Sequence, residues 1–159
     1  MKAASLAEIK AALKEKTPAQ VMELCLRLAR HKKDNKELLT YLLFEADDKH
    51  GYIESIKREM EESFEEMNMG NLFWVKKSLR KVLRIINKYI KYAGDKQMEA
   101  ELRIYFCSLI KKAKINIQKS PLILNLYKGQ LKKIEAALDT LHEDLQHDYD
   151  SDWEKVKQL

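Results

Sequence analysis

An all-α fold of about seven helices, joined as successive antiparallel hairpins, is what this sequence predicts, and three observations predict it. The 159 residues include only four Gly and two Pro, too few to turn the many short strands of a sandwich or barrel, which need a turn every 8 to 12 residues or so. Apolar residues recur at alternating steps of three and four, which puts them on one face of a helix. Polar capping residues precede these runs at the offset that satisfies the first free backbone N–H groups. A hydrophobic content of 45% beside 35% charged residues suits a packed interior under an ionised surface rather than a disordered chain.

The elements follow in order. Ser5 and Glu8 read as a capping box opening a helix over 5–16, and Thr17 before Pro18 opens one over 18–32. Asp34 with Glu37 reads as a second box for 35–47, followed by 50–68, which stops before Gly70. The stripe Leu72, Val75, Leu79, Val82, Ile86, Tyr89 and Ala93 defines 72–93, ended by Gly94 and Asp95. The next span, 96–119, spreads Leu102, Ile104, Tyr105, Phe106, Leu109, Ile110 and Ile115 around its circumference, so it belongs at the centre. Ser120 before Pro121 opens 121–147, whose stripe is Leu124, Tyr127, Leu131, Ile134, Leu138, Leu141 and Leu145. Residues 1–147 are thus expected as one helical domain. Residues 148–159 are expected as an acidic tail in which Ser151 and Glu154 cap a short turn that docks Trp153 and Val156.

In helix-pair architecture the chain resembles a short HEAT-like or armadillo-like helical stack, the alternative being a compact helical bundle. The best internal echo is one pentad, Glu37–Tyr41 against Glu101–Tyr105, which is no repeat, and no signature of those families covers the chain, so nothing functional carries over. Uncharged stretches are short, Ile104–Ile110 having seven residues, where a membrane span needs about 20. Lys2, Glu8, Lys10, Lys14 and Glu15 interrupt the start, unlike a signal peptide. Cys25 and Cys107 each sit in an apolar helical run and are expected reduced and buried. A cytoplasmic protein with no membrane association is the expectation.

Charge is the informative feature. Residues 1–69 carry 12 basic and 14 acidic side chains, residues 70–133 carry 16 and 3, and residues 134–159 carry 2 and 8, for net charges of −2, +13 and −6. The central segment is an electrostatic footprint for an anionic partner. On a helical projection with Leu72 at 0°, the apolar stripe of 72–93 falls between about 260° and 20°, and Lys76, Lys77, Arg80, Lys81, Arg84, Lys88 and Lys91 fill about 40° to 180°. Trp74 and Tyr92, near 200° on the same projection, border the cations, where they stack on bases or serve as peripheral core. Lys outnumbers Arg 13 to 3 in the segment, which favours point-charge contact with phosphates over bidentate base reading. Against a binding role stands compensation by Glu54, Glu59, Glu61, Glu62, Glu65 and Glu66 or by the acidic tail.

Motifs for chemistry fail on spacing. His142 and His147 are five apart, about 140° around a helix, where two ligands to one zinc need four. Asp139 with His142, and Asp144 with His147, lack the inward Glu partners of a di-iron bundle. The alternation Asp148, Asp150, Asp152, Glu154 has Trp153 where a calcium loop needs Gly and Leu159 where it needs Glu. No Gly-rich phosphate loop or nucleophile elbow is present. His31, in a helix C-terminal cationic run, and His50 read as capping or solvated, and Glu45 is the one carboxylate near an apolar run. The expectation is a non-enzymatic binding or scaffold module without cofactor or metal, engaging an acidic protein, nucleic acid or another polyanion. The alternative is self-association through complementary acidic and basic faces.

Overall fold

The structure is a computed structural model that describes residues 1–158. It is all-helical: α1 (Leu6–Lys14), α2 (Pro18–His31), α3 (Lys33–Thr40), a π-helical turn at Tyr41–Glu45, α4 (Lys49–Glu65), α5 (Leu72–Ala93), α6 (Lys96–Lys112), a 3₁₀ turn at Ile117–Lys119, α7 (Pro121–Leu138) and α8 (Glu143–Lys157). These elements fall into two compact units, residues 1–44 and the chain from Glu45 onward, where the sequence suggests one domain over 1–147.

In the first unit the caps form as the sequence dictates. Ser5 and Glu8 make the reciprocal box of α1, and Thr17 with Gln20 does the same for α2 behind Pro18. The Asp34 box does not form. Lys32 alone is extended between α2 and α3, α3 begins at Lys33 without a side-chain cap, and Asn35 Nδ2 instead donates to the Leu28 carbonyl at 2.9 Å, closing the end of α2. Although α2 packs on α3, no residue of α1, α2 or α3 is buried. Cys25 is accordingly exposed rather than buried, while Cys107 is buried; both thiols are free.

The second unit is a helical bundle around α6. That helix buries Met98, Ala100, Leu102, Arg103, Ile104, Phe106, Cys107, Leu109 and Ile110, which cover most of its circumference, and α4, α5, α7 and α8 all pack against it. A stack in which each pair touches only its neighbours would not share one helix in this way. Phe64 of α4 meets Phe106 edge to face at 5.9 Å, and Tyr52 meets Tyr89 of α5 likewise at 5.9 Å.

Two glycines are dictated by geometry. A Cβ on Gly51 would come within 2.2 Å of the Asp48 carboxylate, which caps α4 by accepting from the Gly51 N–H. Gly94 closes α5 at φ 62°, a left-handed conformation that L side chains disfavour.

Three boundaries differ from the periodicity. The central helix stops at Lys112 because Lys114 adopts φ 53°; beyond it Ile115 and Ile117 are buried while Asn116 between them is exposed, an alternation no α-helix sustains. The span 121–147 breaks after Leu138, where Thr140 Oγ1 donates back to the Ala137 carbonyl at 2.6 Å, the local competition that Thr offers a helix. A new helix then starts at His142, whose ring accepts from the Asp144 N–H at 3.3 Å, with Glu143 and Asp144 on the favourable N-terminal end of its dipole. The expected tail is therefore the second half of α8, and Ser151 lies inside that helix rather than capping a turn. Val156 is buried as expected, and Tyr127 Oη donates to its carbonyl at 2.7 Å.

Candidate basic groove on the fifth helix

Helix α5 lies at one side of the bundle, packed on α4 and α6. It buries Val75, Leu79, Val82, Leu83, Ile86 and Ile90, so the opposite arc faces solvent, and there Lys77, Arg80, Lys81, Arg84 and Lys91 are exposed and Lys76 half-exposed. Among the described residues no carboxylate comes within ion-pair distance of these six cations.

The acidic helices use their carboxylates elsewhere. On α4, Glu54 pairs with Lys57 of its own helix, Glu59 accepts from Tyr89 Oη at 2.8 Å, and Glu61 accepts from Tyr105 Oη. On α8, Asp150 faces His147 at 3.0 Å, Asp152 pairs with Lys155 at 2.9 Å and Glu154 with Lys157 at 3.9 Å, all within one helix. Nor does α8 fold back over the basic arc. It packs on α6 and α7, and Lys111 holds its end by donating to the carbonyls of Lys155 and Gln158.

The exposed arc is hollowed into a shallow groove of about 450 Å³, lined by Phe73, Lys76, Lys77, Arg80, Leu83, Arg84 and Asn87. Four of the cations that the helical projection selects thus meet at one concavity: Lys76, Lys77, Arg80 and Arg84. Lys81 and Lys91 lie on the same helix outside it, as does Lys88, whose Nζ is 5.1 Å from the Tyr89 ring centroid. The two bordering aromatics separate. Tyr92 is half-buried and meets Tyr89 at 6.5 Å in a ladder that continues to Tyr52, whereas Trp74 is 45% exposed.

Phe73 is the groove residue that the projection passes over. At about 100° it lies in the middle of the cationic arc, and that lone apolar residue among cations was the available signal. It is 56% exposed, meets Trp74 edge to face at 5.4 Å, and lies under Lys76 Nζ at 5.3 Å, while Lys77 Nζ lies 5.0 Å from the Trp74 ring.

Behind the groove stands a buried cation that periodicity did not reveal. Arg103 of α6 donates to Asn87 Oδ1 on the groove wall at 3.0 Å, to Gln130 Oε1 of α7 at 2.8 Å and to Glu99 at 3.0 Å.

A second polar cavity, also about 450 Å³, lies where α8 crosses α4 and α6 and includes Lys57, Glu101, Tyr105, Asp148 and Tyr149. Its central groups already serve one another. Lys57 bridges Glu54 and Glu101 at 2.8 Å each, and Tyr149 Oη donates to Glu101 at 3.1 Å. Burial, helped by Glu61, pushes the Tyr105 hydroxyl up to about 12, and burial likewise raises Tyr149 to about 12 despite the hydrogen bond from Gln97. Burial also pushes the Cys107 thiol up to about 12, against the pull of its Tyr127 hydrogen bond, so at neutral pH it is no thiolate nucleophile.

Among the described residues no three His, Cys, Asp or Glu side chains are grouped to hold a metal, and no helix is long and apolar enough to cross a membrane. His142 and His147 sit on separate tasks in α8, Glu45 and His50 are exposed, with His50 inside α4, and His31 ends α2. The last position of the calcium-like alternation, Leu159, lies outside the described residues. No family model, characterised protein or solved structure matches this chain.

Proposed function

We propose that this chain is a non-enzymatic binding module that engages a polyanion through the basic groove of α5, with phosphates as the groups it contacts. The observation that carries this reading is the set of six α5 cations without a carboxylate partner among the described residues, none of the ion pairs of α4 and α8 reaching them. Uncompensated like charges on one face repel one another, and an anionic partner relieves that repulsion while releasing its own counterions. The Lys-rich composition supports binding indifferent to base sequence.

Duplex DNA is the first probe. With Lys76, Lys77, Arg80 and Arg84 each neutralising one phosphate, log affinity falls with log salt at a slope near −3.6. Charge reversal, Arg80→Glu with Arg84→Glu, weakens every duplex similarly, whereas Lys2→Glu with Lys10→Glu changes little. Failure of the chain to bind duplex or inorganic polyphosphate at micromolar concentration and about 50 mM salt overturns the reading.

One observation favours a second reading. Glu62, Glu65 and Glu66 near the end of α4 are exposed and carry no ion pair among the described residues, so they could complement α5 of another copy. A mass in solution that doubles at low salt and halves at high salt, without added polyanion, selects it.

A further inference from the structure

We propose that the groove takes single-stranded rather than duplex nucleic acid, with Phe73 and Trp74 stacking on bases while Lys76, Lys77, Arg80 and Arg84 hold the phosphates. The inference rests on the polyanion reading of the same groove and gives it a substrate class.

Its first support is the placement of the aromatics. Large apolar rings at a helix start ordinarily turn toward the core, yet Phe73 and Trp74 are 56% and 45% exposed while Val75, the next residue, is 2% exposed. The burial that would repay their exposure to water is missing within the bundle. Cations flank both rings, Lys76 at 5.3 Å from Phe73 and Lys77 at 5.0 Å from Trp74. An apolar protein partner would have to desolvate those ammonium groups to reach the rings. A nucleotide strand needs no such sacrifice, because it brings a π face and a phosphate together.

The second support is spacing. Lys76, Arg80 and Arg84 follow one another at four-residue steps, about 6 Å along the axis, which matches the repeat at which an extended strand presents successive phosphates. Phe73 and Trp74 stand at one end of this row, in the first turn of α5. A strand lying along the row would leave it at the rings, where its bases can turn onto them. A duplex offers its bases edge-on within grooves, with their faces already stacked on one another, so two rings beside this shallow groove have nothing to stack on.

The test compares three probes at about 50 mM salt, where the electrostatic part of binding is strong: a labelled deoxythymidine oligonucleotide, a duplex of the same length, and inorganic polyphosphate as competitor. The expected result is tighter binding of the single strand than of the duplex, a salt slope near −2.8 for four phosphates on a single strand, and quenching of Trp74 fluorescence. The quench is assigned with Trp153→Phe, which retains it, and Trp74→Phe, which loses it. Phe73→Ala and Trp74→Ala should each weaken the single strand by about 5- to 150-fold and leave polyphosphate affinity unchanged. Because both side chains are exposed, the variants should keep the parental circular dichroism spectrum and melting temperature.

Single strand bound no more tightly than duplex, with no quench and no effect of the aromatic variants, overturns the inference while polyphosphate binding preserves the polyanion reading. No binding of any probe overturns both. Single-strand affinity lost equally in the aromatic variants and for polyphosphate also overturns the inference, because the rings would then be supporting the groove rather than reading bases.

Discussion

Removing the guanidinium of Arg103 asks whether the polar knot behind the groove holds the bundle together. Arg103 is 4% exposed, and Nε, Nη1 and Nη2 donate to Glu99, Gln130 and Asn87 at 3.0, 2.8 and 3.0 Å. Arg103→Met keeps an apolar stem of similar length but strips buried Gln130 of its donor and leaves Glu99 with Lys96 alone, at 2.8 Å. Breaking a buried pair from one side costs about 3–5 kcal/mol. The surviving Lys96 contact places the expected loss near the lower end, about 3 kcal/mol, or roughly 12 °C in Tm at about 4 °C per kcal/mol for a unit of this size.

The loss should also depend on pH in one direction. Burial alone would raise the Glu99 carboxyl, but hydrogen bonds from Lys96 and Arg103 outweigh it and hold the group below its ordinary 4.5. A depressed folded-state pKa stabilises above the unfolded value, and that contribution disappears as pH falls through the folded value. The cost of Arg103→Met is therefore greatest at neutral pH and shrinks below 4.5. Glu99→Gln should flatten the acid limb of the parental stability curve in the same window. Urea unfolding across this range measures both effects. A loss under about 1 kcal/mol at neutral pH, the worth of one ordinary hydrogen bond, or a loss that stays constant into acid, refutes the argument.

Three further outcomes are expected. Leu109→Ala should cost about 2–5 kcal/mol by denaturant titration, since Leu109 is 6% exposed on the shared central helix; a loss below about 0.5 kcal/mol would show that this helix is not the core. An aromatic disulfide reagent at neutral pH should modify one thiol, Cys25, in the folded protein and a second, Cys107, only in denaturant; two fast thiols in the native protein would contradict the packing of α6 on α7. In alkali, Tyr105 and Tyr149, raised to about 12 in the fold, stabilise fully below the ordinary tyrosine value of 10 and lose that contribution as pH climbs through 12. Ultraviolet titration of Tyr149→Phe should accordingly lack one late ionisation.

Caps and periodicity made much of this fold legible in advance. Ser5, Thr17 and Ser120 each announce a helix because a side-chain oxygen must meet a free N–H near it in sequence. The cationic arc of 72–93 was legible because helical geometry alone groups its residues on one face. Illegible features depend on contacts between distant residues. Nothing local marks Arg103 as buried, since its acceptors come from Asn87 and Gln130 on other helices. The rupture between Leu138 and Glu143 was hidden because the apolar stripe continues through Leu141 and Leu145 across it. Phe73 was missed for another reason: attention to where apolar residues cluster passes over one that stands among charges.

The burial of the first unit sets how this molecule responds to heat and to isotope exchange. Its helices have 9, 14 and 8 residues, lengths at which an isolated helix is marginal in water; side-chain caps open only α1 and α2, and none of the three has a buried residue. Leu6 and Phe44 are 84% and 75% exposed. Amide protons before Glu45 should therefore exchange through local fraying, while those of Leu102, Phe106 and Ile110 wait for the bundle to open as a whole. The molecule carries two stabilities in one chain, and its calorimetric enthalpy should fall short of the usual per-residue value by roughly a quarter, the share of the chain lying before the boundary.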